Sequence, residues 1–118
     1  MKTRKVDLSV VGINYRLPTD RQMDLQGVLE EEVLAVRIER ESGNLHDPNA
    51  IKVVLVEEPY AEFHLGYLRR SIAEVYAPLM DGGDLTVKEA WLVALDPDHG
   101  VGELEVTLRT KTSLKAAS

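Results

Sequence analysis

A histidine and a carboxylate stand side by side at His46 and Asp47, in the stretch ESGNLHDPNA just before an apolar run. An imidazole beside an acid has the composition of a general-base pair, provided that a special turn aims the two side chains at each other. Asp47, Pro48 and Asn49 also form the kind of sequence that makes tight turns, because Asp and Asn side chains bond to nearby backbone amides. The residues alone therefore leave two interpretations, a catalytic pair and a structural turn.

Metal and cofactor chemistry find little support elsewhere in the chain. The three histidines, His46, His64 and His99, are scattered singly, and none has the spacing that places two imidazoles on one helical face. The chain has no cysteine and no glycine-rich phosphate-binding motif or G-x-S-x-G motif. We therefore expect no metal, no cofactor and no enzyme activity. A hydrolase that uses His46 and Asp47 remains the least favoured alternative.

Size and charge restrict the function classes. The 118 residues predict one domain, with a core over about residues 6–110 and loose tails at 1–5 and 113–118. The net charge of −6 argues against non-specific coating of duplex DNA, which needs a broad basic face. It leaves room for a small pocket that holds a few nucleotides. No apolar window is long enough to span a membrane, so a cytoplasmic protein without membrane contact is expected.

Alternating apolar residues predict strands that could position these side chains. The predicted strands cover residues 6–15, 32–41, 50–57, 85–95 and 102–110, with a short strand-like segment at 63–68. Gly66 in that short segment indicates the close approach of another backbone or of a ligand. Five or six short strands with one inserted helix predict a mainly β fold with one or two short helices, a small OB-like or SH3-like curved-sheet barrel.

One helix is predicted between the strands. Ser71 and Glu74 have the spacing of a capping box, so the helix should begin at Ser71. Pro78 should end it, or change it to a tighter turn, near Tyr76 to Ala77. Residues 16–27 show no sustained periodicity and are predicted to form a loop. Tyr76 and Trp91 are expected in the core.

Three segments together resemble one known family. They are VVGINY (10–15), RESGNLHDPNAIKV (40–53) and LGYLRRSIAEVYAPLMDGG (65–83), in that order and spacing. The pattern, which covers about residues 6–85, is similar to the HIRAN domain, found alone in bacteria and phages and at the front of eukaryotic fork-remodelling ATPases. The resemblance implies a modified OB-like barrel that grips the 3′ end of single-stranded DNA.

The resemblance also implies a set of binding residues. By motif position these are Asn14, Tyr15, Arg16, His46, Asp47, Tyr67 and Arg70. Aromatic rings would stack on bases, arginines would hold phosphates, and the Asp47 carboxylate would accept a hydrogen bond from a terminal 3′-hydroxyl. Pro48 and Asn49 would hold the turn in shape, and Lys52 and Arg69 would add local positive charge.

This chain departs from the family pattern at three positions, two of them among these binding residues. Arg16 stands where the DNA-gripping members commonly have a second aromatic residue, His46 where they commonly have tyrosine, and Leu45 where proline is frequent. The resemblance implies a helicase or nuclease as a partner in trans. The alternative function is a protein-interaction module on the same barrel, which would use an exposed strand edge or the region of Tyr67.

Overall fold

The structure is a computed structural model that describes residues 2–111. Its elements in chain order are β1 (Lys2–Val11), a 3-10 helix (Ile13–Tyr15), α1 (Thr19–Leu29), β2 (Leu34–Arg40), β3 (Ile51–Leu55), β4 (Phe63–Leu68), α2 (Arg70–Asp81), β5 (Leu85–Asp96) and β6 (Val101–Thr110). The six strands close into an antiparallel barrel in the order β1–β4–β3–β2–β5–β6. The prediction of a mainly β barrel of about six strands is confirmed.

The longest strands show the clearest relation between sequence and structure. In β6, Leu104, Val106 and Leu108 are buried in the barrel, whereas Glu103 and Glu105 between them face solvent. This alternation fixes the register, because a shift by one residue would turn every apolar side chain outward. Strand β6 pairs along most of its length with β1 on one side and β5 on the other.

Strands β3 and β4 lie across the barrel from β5 and β6. In β3, Val53 and Val54 are both buried although they point to opposite faces, as the nearly continuous apolar run predicts. A side chain on Gly66 of β4 would collide with the carbonyl oxygen of Val11. This contact confirms the predicted close backbone approach, and it lets the end of β1 lie against β4.

The N-terminal boundary differs from the prediction. Strand β1 begins at Lys2, so the expected loose tail at 1–5 is wrong for residues 2–5, which pair with the last residues of β6. The exposed side chains of this segment gave no apolar alternation, but its backbone completes the ladder. The strand also ends earlier than predicted, because Gly12 adopts a φ of 78° and turns the chain into the 3-10 helix. The predicted tail at 113–118 lies outside the described residues.

The observed helices also differ from the predicted ones. The predicted loop at 16–27 is largely helix α1, in which only Gln22 and Leu25 are buried, so the sequence shows no apolar stripe. Helix α2 begins at Arg70 without a side-chain cap, so the Ser71 capping box does not form. It continues through Pro78 to Asp81, because Pro78 and Glu74 both face solvent and the carbonyl left without its usual partner can be hydrated.

The two aromatic residues expected in the core have different positions. Tyr76 is buried on the inner face of α2, as predicted. Trp91 lies on the outer face of β5, where its indole Nε1 donates a hydrogen bond to the exposed Glu89. The expectation for Trp91 was wrong because a register shift between Val87 and Glu89 changes which residues of β5 face inward.

Candidate functional site

Three separate segments meet around one open groove of about 470 Å³. They are the turn after β1, the loop between β2 and β3, and the junction of β4 with α2. Six of the seven residues predicted for the site line this groove: Tyr15, Arg16, His46, Asp47, Tyr67 and Arg70. A larger groove of about 560 Å³ between α1 and the β3–β4 loop contains none of them.

The turn after β1 presents two of these side chains. The positive φ of Gly12 directs the chain into the 3-10 helix, which leaves Tyr15 93% exposed at the rim. The guanidinium carbon of Arg16 lies 5.6 Å from the centre of the Tyr67 ring, within cation–π range. Asn14, the seventh predicted residue, does not line the groove. Its side-chain oxygen instead accepts a hydrogen bond from the amide of buried Gln22.

The loop between β2 and β3 is shaped by side-chain to backbone hydrogen bonds. Asn44 Oδ1 accepts from the backbone amides of His46 at 2.8 Å and Asp47 at 3.0 Å. Asp47 Oδ1 accepts from the backbone amide of Asn49 at 2.9 Å. The turn interpretation is thus correct for one carboxylate oxygen, while the His46 ring and the other Asp47 oxygen remain at the groove. Sequence reasoning missed Asn44. An Asn side-chain oxygen often accepts hydrogen bonds from the backbone amides two and three residues later, and this pattern could have identified it.

Arg40, which the sequence analysis also missed, anchors this loop to the barrel. Its guanidinium donates to the carbonyl oxygens of Ala50 at 2.7 Å and Pro48 at 2.9 Å. It also forms a two-pronged ion pair with Asp81 at the end of α2, at 2.9 and 3.1 Å. Because one planar group makes all four bonds, the loop and the helix are held in a fixed relation.

The third wall of the groove comes from β4 and the start of α2. Tyr67 donates its hydroxyl proton to Glu41 Oε1 at 2.7 Å, and its ring meets His64 edge-on with centres 4.8 Å apart. Arg70 donates from Nη2 to the carbonyl oxygen of His46 at 3.3 Å, and its Nε lies 3.8 Å from Asp47 Oδ2. Helix α2 thereby reaches back to the loop.

The charges in this region shift several pKa values. The Tyr67 hydroxyl, followed by the Asn44 amide, holds the pKa of Glu41 below its usual range. Burial raises the pKa of Tyr67, and the hydrogen bond to Glu41 raises it further. At neutral pH the groove therefore contains a neutral phenol whose proton is directed at a charged carboxylate.

Two of the predicted cations lie elsewhere. Lys52 Nζ lies 3.3 Å from Glu39 and 4.0 Å from Glu41, so its charge is already compensated on the outer face of β3. Arg69 precedes α2 and is not among the residues that line the groove. The groove itself offers two guanidinium groups, Arg16 and Arg70, and one carboxylate, Asp47.

Other activities receive no geometric support from the described part of the chain. Within residues 2–111, the His46 ring makes no hydrogen bond to Asp47, so the carboxylate does not orient the imidazole as a general base would require. Over the same residues there is no group of three or more His, Asp or Glu side chains that could hold a metal ion. No helix within that range has the length and apolar character needed to cross a membrane.

Comparison with known proteins identifies the family. The family model of the HIRAN domain matches residues 4–115, which is nearly the whole chain. The chain belongs to the HIRAN domain family. No curated protein matches it in sequence.

Solved structures share this HIRAN fold. The crystal structure of the HIRAN domain of human HLTF is 22% identical over 97% of this chain and 83% of that chain, with a TM-score of 0.66. A crystal structure of a protein from Lactobacillus plantarum is 32% identical over 92% of this chain and 99% of that chain, with a TM-score of 0.60. An NMR structure of the HLTF HIRAN domain in its DNA-bound conformation is 21% identical over 96% and 81% of the two chains, with a TM-score of 0.57. At these identities the HLTF structures establish the fold and confirm the expected OB-like HIRAN barrel.

Proposed function

We propose that this HIRAN domain is a non-enzymatic module that binds the 3′ end of single-stranded DNA in the groove around Tyr67. The observation that carries the proposal is convergence. Rings, two guanidinium groups and one carboxylate come from three distant segments of the chain and line one groove of about 470 Å³. The DNA-bound conformation of the HLTF HIRAN domain supports the proposal through the shared fold.

The rings and the guanidinium groups suit an unpaired strand. Tyr15, which is almost fully exposed at the rim, can stack on a base without rearrangement, and such stacking contributes about 1–3 kcal/mol per base. Arg70 has a side chain that is 70% exposed, so its remaining donors are free to bind a phosphate. Arg16 at the opposite wall can hold a second phosphate or stack on a base through its planar face.

Asp47 gives the proposal its specificity. One carboxylate oxygen is used by the backbone amide of Asn49, whereas Oδ2 lies 3.8 Å from Arg70 Nε, beyond hydrogen-bond distance. That oxygen has lone pairs to accept a hydrogen bond from a sugar hydroxyl. A terminal phosphate would instead be repelled by the carboxylate. The pair of Asp47 and Arg70 therefore favours a strand that ends in a 3′-hydroxyl and continues as phosphate.

The net charge of the chain determines how strongly DNA binding should depend on salt. The chain carries a formal charge of −6, so attraction to DNA is confined to the cations in the groove. Few phosphates are neutralised, and the logarithm of affinity should fall with the logarithm of salt by a slope of only about −0.7 per phosphate bound. A module of this kind would hold an end for a helicase or nuclease acting in trans.

The test compares short oligonucleotides that differ only at the 3′ terminus. We expect fluorescence anisotropy to show tighter binding of the 3′-hydroxyl form than of the 3′-phosphate form. Asp47→Asn keeps an oxygen for the Asn49 amide but removes the charge, so it should weaken 3′-hydroxyl binding about tenfold, or about 1.4 kcal/mol. Binding of the 3′-phosphate form should be unchanged or stronger.

Asp98→Ala is the matched control, because it removes one acidic charge from an exposed turn outside the groove. It should leave the preference intact. Equal losses on both oligonucleotides in Asp47→Asn would refute the hydroxyl-accepting role. Wild-type protein that binds neither end, or shows no preference and only weak binding that moderate salt abolishes, would favour the protein-interaction alternative.

A further inference from the structure

Glu41 is the residue through which two walls of the groove are connected, although it does not line the groove. It follows β2, and its side chain is about 30% exposed. The carboxylate oxygen Oε1 accepts two hydrogen bonds, from the Tyr67 hydroxyl at 2.7 Å and from the Asn44 side-chain amide at 2.9 Å. The two donors belong to different walls.

Each of the two donors, Asn44 and Tyr67, also contacts residues that line the groove, so the position of Glu41 affects theirs. On one side, Asn44 uses its oxygen to cap the backbone amides of His46 and Asp47, which sets the direction of the Asp47 carboxylate. On the other side, the Tyr67 ring supports the guanidinium of Arg16. A phenol that donates to a carboxylate is also more electron-rich, which strengthens its attraction for a cation over the ring.

Backbone hydrogen bonds fix Glu41 at a position from which its carboxylate reaches both Asn44 and Tyr67. Its amide donates to the Ala50 carbonyl at 2.9 Å, which closes the base of the loop directly beyond the last paired residues of β2 and β3. Its side chain points to the outer face shared with Tyr67. Because Glu41 lies at the fixed base of the loop, its side chain can hold Asn44, which lies nearer the open tip, in a constant position.

We infer that Glu41 is a positioning residue that fixes the spacing between the hydroxyl-accepting loop and the Tyr67–Arg16 wall, and that it thereby sets selectivity for the strand end. This inference rests on the proposed function for its ligand. Its structural part, the control of the loop by Glu41, stands on the hydrogen bonds alone.

The experiment compares three variants on the outer face of the barrel. Glu41→Leu has a similar volume but accepts no hydrogen bond, whereas Glu41→Gln keeps an oxygen for both donors. Glu39→Leu is the matched control, because Glu39 lies on the same face and pairs with Arg37 and Lys52 but contacts neither Tyr67 nor Asn44. Affinities for 3′-hydroxyl and 3′-phosphate oligonucleotides are measured for each variant.

We expect Glu41→Leu to weaken 3′-hydroxyl binding about tenfold and to reduce the preference over the 3′-phosphate form, whereas Glu41→Gln should stay within about threefold of wild type. Glu39→Leu should keep the wild-type preference. In a double-mutant cycle with Tyr67→Phe, the effect of Glu41→Leu should be smaller than in the wild-type background, because part of it acts through the Tyr67 hydroxyl. Strictly additive effects would overturn this coupling.

Hydrogen exchange of the backbone amides of His46 and Asp47 separates the inference from the proposed function. These amides should exchange faster in Glu41→Leu than in wild type, and at the wild-type rate in Glu39→Leu. If wild type binds no oligonucleotide but exchange is accelerated, the DNA proposal fails and the positioning role is supported. If Glu41→Leu binds and exchanges as wild type does, the positioning role is refuted whatever the ligand.

Discussion

Two loops of this protein combine histidine, aspartate and proline, yet they are stabilised in different ways. The β2–β3 loop contains His46-Asp47-Pro48, and the β5–β6 loop contains Asp96-Pro97-Asp98-His99. In the β5–β6 loop the carboxylate of Asp96 accepts from His99 Nδ1 at 2.7 Å and from the backbone amide of Asp98 at 3.1 Å. The acid and the histidine of that loop therefore satisfy each other.

In the β2–β3 loop the same residue types are held by neighbours instead. Asn44 caps the backbone amides, Arg40 binds two carbonyl oxygens, and Arg70 reaches the loop from α2. The His46 ring and one oxygen of Asp47 consequently remain available at the groove. The comparison shows that the His46 ring and one Asp47 oxygen stay available because neighbouring residues supply most of the hydrogen bonds that shape the loop.

The largest expected effect comes from removing the anchor of the β2–β3 loop. Arg40→Met keeps much of the side-chain volume but removes the donor to the Pro48 carbonyl. The Ala50 carbonyl keeps only the backbone amide of Glu41 as a donor. Because the Arg40 side chain is only 15% exposed, we expect the free energy of unfolding to fall by about 2–3 kcal/mol. Urea unfolding should show a lower midpoint with an unchanged m-value.

Arg37→Met provides the control for this change. Arg37 also binds a carboxylate with two bonds, to Glu62 at 2.7 and 3.0 Å, but it does so on the exposed face of the barrel and contacts no loop carbonyl. The free energy of unfolding should therefore fall clearly less in Arg37→Met than in Arg40→Met. Equal losses in the two variants would mean that Arg40 contributes as a surface ion pair and not as an anchor.

The next effect comes from removing the cap inside the same loop. Asn44→Ala leaves the backbone amides of His46 and Asp47 without their acceptor and should lower the free energy of unfolding by about 1–2 kcal/mol. Affinity for a 3′-hydroxyl oligonucleotide should fall by a larger factor than stability alone explains. Thermal unfolding and anisotropy measured on the same preparation would check this. Unchanged affinity would show that the loop keeps its geometry without Asn44.

The regular part of the barrel could be predicted from the sequence because its determinants are local. Leu104, Val106 and Leu108 alternate with charged residues, and that pattern alone places β6 with little error. Helix α1 could not be found in this way. It buries only Gln22 and Leu25, and a helix that is covered on so narrow a stripe has no clear period.

The candidate site was predicted through motif resemblance, which identified the residues that face the groove but not those that hold them. Tyr67 and Asp47 follow from the motif, whereas the role of Glu41 depends on a contact between residues 26 positions apart. Asn14 was included because it is part of the VGINY motif, but its side chain turns toward Gln22. Side-chain direction within a 3-10 turn is set by tertiary packing, which a sequence pattern does not specify.

A smaller effect is expected in the β5–β6 loop. Asp96→Ala removes both hydrogen bonds of its carboxylate, but the backbone amides of His99 and Gly100 still donate to the Asp96 carbonyl. Because the side chain is exposed, the loss of stability should be smaller than for Asn44→Ala. Urea unfolding of the two variants side by side would test the comparison directly. A larger loss for Asp96→Ala would contradict the view that this loop is held mainly by its backbone.

The smallest expected effect is a pair of opposite pKa shifts at two histidines. Burial lowers the pKa of His64 below the ordinary histidine value of 6.5, and Arg16 acts in the same direction, although the Gly66 carbonyl and Glu41 favour the proton. Hydrogen bonding to Asp96 raises the pKa of His99 above 6.5. Ring-proton NMR titrations should therefore place the two transitions on opposite sides of 6.5. Asp96→Ala should move the His99 transition down and leave that of His64 in place.

The two shifts have opposite consequences for stability. As the pH falls from 6.5 toward the lowered pKa of His64, the unfolded chain takes up a proton before the folded one does, so the stability that neutral His64 contributes is lost. As the pH rises from 6.5 toward the raised pKa of His99, the unfolded chain releases its proton first, so the contribution of the pair with Asp96 is lost. Because the pair with Asp96 contributes fully below the ordinary pKa of His99, Asp96→Ala should be less stable than wild type on the acid side of 6.5. This difference should close as the pH rises through the raised pKa of His99. If the difference between the two proteins instead changed as the pH falls from 6.5 toward the lowered pKa of His64, the histidine next to Tyr67 would be coupled to the β5–β6 loop, and the two regions could no longer be treated as independent.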